Sequence, residues 1–161
     1  MVSTSTRNVA ALWPPDDTEE SILGINRHQF DIGSLRLGIN ELADAAASGG
    51  PLPWEAISQM VVLGCIRPNG SAYTVYPDIA VFAHALDSRR GSYSLAEDGA
   101  PVLVVEVASP ATLQADLDLV NGKGWTYAQA GVAEYLVLDP GEEMIPEAAR
   151  GWRLAAGVYR P

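Results

Sequence analysis

The chain has 161 residues, 48% of them hydrophobic and 19% charged, with a net charge of −10 at neutral pH and a pI near 4.4. That size and composition predict one domain with a real core. The acidic balance argues against tight, sequence-independent binding to phosphate backbones, and no apolar run approaches the roughly 20 residues of a spanning helix.

The first twenty residues, MVSTSTRNVAALWPPDDTEE, lack the basic-then-apolar order of a signal peptide. Pro14-Pro15 and the acids Asp16, Asp17, Glu19 and Glu20 predict a flexible, solvated arm over 1–24, with the domain proper over 25–161. From Asn26 the pattern turns helical. His28, Ile32, Leu35, Ile39, Leu42 and Ala46 recur at steps of four and three, with Asn26 as N-cap and Gly49-Gly50-Pro51 as stop. Gly33 and Gly38 weaken this helix, so packing must hold it. His28 reads as a capping or core-edge histidine before it reads as a ligand.

Ile57–Arg67 reads as a strand, Pro68-Asn69-Gly70 as a tight turn, and Ala72–Ala83 as an antiparallel partner. Pro77 inside that second run predicts a bulge or an edge, and Asp78 follows it directly. The single cysteine, Cys65, excludes an internal disulfide and suits a reducing, cytoplasmic setting as a buried inert thiol. Residues 84–99 form a polar loop with a basic spot at Arg89-Arg90.

Pro101–Pro110, PVLVVEVASP, is too apolar for a half-exposed strand and predicts a central one. Its carboxylate, Glu106, is costly there unless it lies at the strand end, pairs with a base, or holds a metal. Residues 113–130 predict a helix ending at Gly131. It should be broken in the middle, where Asn121-Gly122 and Gly124 flank Lys123. Val132–Asp139 is a further strand, parallel to the central one by a crossover, and Arg153–Tyr159 a strand-like tail. The expected fold is α/β (α+β), a mixed sheet in the order α-β-β-β-α-β with helices packed on it.

Nine of the ten basic residues are arginines, and Lys123 is the sole lysine. Arginine bias and chance would explain it; so would chemistry. Asp78 and Glu106, on neighbouring strands, could share a divalent cation, with the main-chain carbonyl of Val107 as a third oxygen and Mg²⁺ or Mn²⁺ as the fitting ion. Lys123 could reach the same pocket and orient water or stabilise developing charge. Ser109 has no histidine that obviously reaches it.

These residues resemble a known family. Tyr76-Pro77-Asp78, Glu106-Val107-Ala108-Ser109-Pro110, Lys123 with Tyr127 four later, Ala130-Gly131-Val132-Ala133-Glu134-Tyr135 and Leu138-Asp139-Pro140 are similar to the Uma-type family of proposed restriction endonucleases, in the PD-(D/E)XK nuclease superfamily. The resemblance spans roughly residues 22–160. It implies a restriction-endonuclease-like fold, Asp78 and Glu106 as metal ligands, and DNA as substrate. The lysine usually found two after the Glu is replaced by Ala108, and Lys123 on the next helix takes its place. Asp118, five before Lys123, stands near the family's Asp; with Tyr127 and His28 it makes up a supporting set. The expected assembly is a homo-oligomer, a dimer foremost, with no membrane association. Three readings stay open: a Mg²⁺-dependent nuclease, a catalytically idle nuclease-like interaction protein, and a metal-dependent hydrolase of another substrate.

Overall fold

The computed structural model describes residues 19–87 and 90–161, with side chains from His28 onward. Asp16, Asp17 and Arg89 lie outside the described residues. Helix α1 spans Glu19–Ala47. Residues 19–24, expected in the arm, are therefore its first turns, and Asn26 lies inside it rather than capping it. Its end is as expected: Ser48 and Gly49 have positive φ, and the Gly50 amide donates to the Ala47 carbonyl at 2.8 Å.

The two long strands of the expected hairpin are each cut in two. Strands β1 (Glu55–Ser58) and β2 (Val61–Ile66) are separated at Gln59, where φ is 53°. Strands β3 (Ala72–Val75) and β4 (Ile79–Phe82) are separated at Tyr76-Pro77-Asp78. The antiparallel pairing survives: β1 pairs with β4, β2 with β3, and Gln59 donates to the Asp78 carbonyl across the corner at 3.3 Å. The ribbon thus bends from one sheet into another, because Pro77 has no N–H for a central ladder. The turn at Pro68-Asn69-Gly70 closes on the Gly70 and Arg67 amides, with Gly70 at φ 80°.

The polar loop holds two short elements, β5 (Ser92–Ser94) and α2 (Leu95–Asp98). Arg90 is no free basic spot: its guanidinium meets Asp98 at 2.6 Å and Glu97 at 3.2 Å. Next comes β6 (Leu103–Val107), then α3 (Leu113–Leu117), α4 (Lys123–Ala130) and β7 (Glu134–Leu138). The expected tail strand is a hairpin, β8 (Ala149–Ala155) and β9 (Val158–Arg160), turning on Ala156 and Gly157, both at positive φ. Asp139 orders the preceding loop by accepting the Met144 and Ile145 amides at 2.6 and 2.7 Å.

One six-stranded sheet runs β1-β4-β6-β7-β8-β9, and a three-stranded sheet runs β3-β2-β5. Strand β6 is antiparallel to β4 and parallel to β7, so the mixed sheet and central strand are as expected. The order α-β-β-β-α-β with its tail is subdivided: the two corners and the tail turn split three of the five expected strands, and β5 is added, giving nine among the described residues. One face of the large sheet packs Ile79, Val81, Val105 and Val107 against Ile32, Leu35 and Ile39 of α1. The apolar stripe of α1 ends on Ala43; Leu42, at 66% exposed, and Ala46 face solvent. Asn40 exchanges two hydrogen bonds with the Ala56 backbone, at 2.8 and 3.0 Å, and so occupies the free edge of β1. The opposite face packs Ala80, Phe82, Val104 and Ala108 against Tyr127 and Ala128 of α4 and against the small sheet.

The break between α3 and α4 is tight. Asp118 accepts the Val120 and Asn121 amides at 2.8 and 2.9 Å, and a methyl group on Gly122 would overlap the Ala115 carbonyl oxygen. At Gly124 it would come 2.5 Å from Leu119 Cδ2. By contrast, nothing lies within 4 Å of a methyl group built on Gly33. Gly122→Ala should cost about 1–3 kcal/mol by overpacking, whereas Gly33→Ala should gain about 0.5–1 kcal/mol of helix propensity. Chemical denaturation of the two variants checks the opposite signs.

Candidate active site

Alternation along β6 sends Val104, Glu106 and Ala108 to the α4 side of the sheet, and Val105 and Val107 to the α1 side. Glu106 is 1% exposed. Two residues one helical turn apart on α4 meet its two oxygens: the Tyr127 hydroxyl donates to Oε1 at 2.5 Å, and Lys123 Nζ lies 3.1 Å from Oε2. Lys123 is the first residue of α4, where the helix dipole disfavours a cation. Carboxylates must therefore hold it. Gly131 fixes the other end of α4 in the left-handed conformation, φ 84°, with the amides of Gly131 and Val132 on the Ala128 and Tyr127 carbonyls.

Asp78 stands at the start of β4. Carried back two residues from Ala80, alternation puts it on the same side as Glu106. The ladder between β4 and β6 begins at Ile79 opposite Val105, so β4 does not run alongside Val107. The Asp78 carboxylate takes that place: its Oδ2 accepts the Val107 amide at 2.8 Å. His28 reaches over from α1, with Nε2 3.8 Å from Asp78 Oδ1. The chain thus brings Asp78, Glu106, Val107, Lys123, Tyr127 and His28 to one rim of the large sheet. Asp118 is not among them. Its carboxylate instead accepts the Val120 and Asn121 amides at the helix break.

The acid beside Lys123 is Asp116, which sequence reading missed. It is fully buried on α3, with Oδ1 2.7 Å from Lys123 Nζ, and its main-chain carbonyl accepts the Tyr135 hydroxyl at 2.8 Å. Its Oδ2 has no hydrogen-bond partner among the described residues; Oδ1 meets the ammonium as an ion pair without hydrogen-bond geometry. The detour over residues 118–122 lets an acid seven positions back reach Lys123. The flanking glycines were the signal: across a broken helix residues no longer meet by turns of 3.6, so distance along the chain from Lys123 does not decide which acid it meets.

Burial pushes the Glu106 carboxyl up to about 8; Lys123 and the Tyr127 hydroxyl pull against this, and Asp78 and Asp116 add to it. Burial also opposes the Lys123 charge, but Glu106 and Asp116 outweigh it and hold the amine above its usual range. Burial, and then Glu106, raise Tyr127 well above a normal phenol, which keeps it a donor.

A carboxyl raised on folding binds its proton more tightly in the native state, so its contribution is full below the unfolded value near 4.5 and lost as pH rises towards about 8. The metal-free protein should lose stability across that window, at no more than about 1.4 kcal/mol per pH unit from this group. Glu106→Gln should flatten the slope. Denaturant midpoints at stepped pH in EDTA measure it, and an equal slope in the variant removes Glu106 as its source.

A family model described as "Putative restriction endonuclease", that of Uma2, matches residues 52–154. The match is narrower than the motifs implied and leaves α1, with His28, outside; Asp78, Glu106, Asp116, Lys123 and Tyr127 all fall within it. Nothing among the curated proteins matches the chain. With the match covering most of the chain and a mixed sheet flanked by helices beneath it, the chain belongs to the Uma2 family and has a restriction-endonuclease-like fold.

Proposed function

We propose that the protein is a divalent-metal-dependent nuclease that hydrolyses DNA phosphodiesters. Asp78 and Glu106 are its metal ligands, and Lys123 orients water or stabilises charge on the phosphate. What supports this most is the sole lysine lying 3.1 Å from the sole acid of the central strand, in a family described by endonuclease activity. Two carboxylates, Glu106 and Asp116, face one ammonium, and Asp78 acts on Glu106 as a third negative charge, a surplus that fits a cation. Hard oxygen donors fit Mg²⁺ or Mn²⁺. Among the described residues no three of His, Cys, Asp and Glu stand at metal-ligand spacing. The protein would therefore supply two carboxylates and the Val107 carbonyl, with water and phosphate oxygens completing the shell.

A bound divalent cation would supply polarisation of the phosphate and a lowered pKa for water. The chain does the rest. The Val107 amide fixes the rotamer of Asp78, and Tyr127 fixes that of Glu106. Lys123 presents its protons at the solvent-reaching edge of the cluster, its side chain 23% exposed. His28 backs Asp78 from α1. The reading takes the protein as cytoplasmic and a homodimer, with the exposed Phe30, Leu37 and Leu42 of α1 as the apolar surface for pairing; no helix among the described residues is long and apolar enough to cross a membrane.

A second reading, an idle nuclease-like interaction protein, is favoured by the same closed contacts. Both Glu106 oxygens already have partners, and the surface is acidic. Metal titration separates the two. Mg²⁺ or Mn²⁺ at a hundredfold over its dissociation constant should add about 2.7 kcal/mol, a rise in melting temperature of roughly 5–10 °C. Asp78→Asn should abolish that rise. Cleavage of plasmid DNA should fall at least about a hundredfold in Glu106→Gln and in Lys123→Ala, with the metal-induced rise kept in Lys123→Ala. A wild type that neither shifts with metal nor cleaves, and an Asp78→Asn variant more stable than its parent, would establish the idle reading instead.

A further inference from the structure

The lysine sits where a lysine is hard to keep. It starts a helix, its stem is long and flexible, and solvent is within reach. On the proposed nuclease reading its partner Glu106 also turns to a cation, and would then hold the ammonium less tightly. A second anchor is needed, and Asp116 has the geometry for one. Its carboxylate is fully buried, its Oδ1 is 2.7 Å from Lys123 Nζ, and its Oδ2 has no other partner among the described residues. It is also set independently of the pair it serves. Tyr135, from β7, donates to its main-chain carbonyl, so α3 is pinned to the sheet whatever the side chain does. The tight break at Gly122 and Gly124 then has a purpose: it folds α3 and α4 so that Asp116 and Lys123 meet.

We propose that Asp116 is the positioning residue for Lys123, able to hold the ammonium beside Glu106 when Glu106 does not. This rests on the nuclease reading for its purpose but not for its test. Because Lys123 is the only lysine, acylation by N-hydroxysuccinimidyl acetate, followed by peptide mass spectrometry, reads this one side-chain amine directly. Asp116→Asn should speed acylation of Lys123 in the native protein about tenfold, the factor expected for loss of one charge-assisted contact. Glu106→Gln, which also removes a partner of the ammonium, should speed acylation clearly less than Asp116→Asn does. Asp118→Asn, which keeps an acceptor for the helix break, should leave it unchanged. A folded Asp116→Asn protein labelled at the wild-type rate overturns the proposal, as does equal release in Asp116→Asn and Glu106→Gln.

Should Asp116→Asn fail to fold, the double variant Asp116→Asn/Lys123→Met decides. It should regain a cooperative unfolding transition if the fault is an ammonium left without its partner. A double variant that stays unfolded shows Asp116 to be structural only and sinks the idea. No cleavage is needed for either readout. A wild type that cuts nothing therefore removes the nuclease reading and leaves the labelling result standing. If cleavage is present, Asp116→Asn should lower kcat with little change in KM.

Discussion

The carboxylate of Glu106 is carried by a strand with a neighbour on each side, an α1-packed core behind it and α4 in front. Leaving a charge there unpaired is prohibitive, and the surrounding structure answers that constraint. Helix α4 delivers a hydroxyl and an ammonium to its two oxygens from one face. That face is correctly aimed only because the chain breaks after α3 and restarts at Lys123, and the break closes only over glycines. Central strand, broken helix and left-handed stop at Gly131 are thus one solution to one electrostatic problem.

That solution is incomplete in a way that matters for chemistry. One ammonium faces Glu106 and Asp116, with the Asp78 charge close enough to be felt at Glu106. A buried pair offsets desolvation only when its remaining lone pairs are satisfied, and Asp116 Oδ2 has no hydrogen-bond partner among the described residues. A core built for stability alone would do better with apolar side chains of similar size. Perturbed groups of this kind, held at a sheet rim, cluster at functional sites more often than in cores built for stability alone.

Much of this was legible in the chain. The apolar run around Glu106, the glycines around Lys123, the stop at Gly131 and the hairpin turn at Pro68-Asn69-Gly70 are local signals, and each lies where local rules put it. What failed was tertiary. The two hairpin arms read as long strands because their apolar pattern runs on; Pro77 marked an interruption in one arm, but nothing local marked the matching bend at Gln59 in the other. Leu42 and Ala46 fit the helical period, yet Ala43 is the residue buried there instead. The β8–β9 turn uses Ala156 at φ 51°, a conformation that its sequence does not advertise. Asp118, five before Lys123, is the nearer acid along the chain, yet Asp116 is the one whose carboxylate meets the ammonium, because a broken helix no longer counts in turns of 3.6.

The bent ribbon also restricts what the lineage can do to this protein. Asp78 lies at the corner with its backbone tied to Gln59 and its carboxylate to Val107. Side chains along each arm alternate with a period of two. One residue gained or lost between the corner and the large sheet would turn Ala80 and Phe82 outward and swing the acid away. Length changes are harmless only at the outer tip, around Asn69, or as matched gains in both arms. Natural insertions should therefore collect at that tip, while the stretch from Val75 to Phe82 keeps its length however far its spelling drifts.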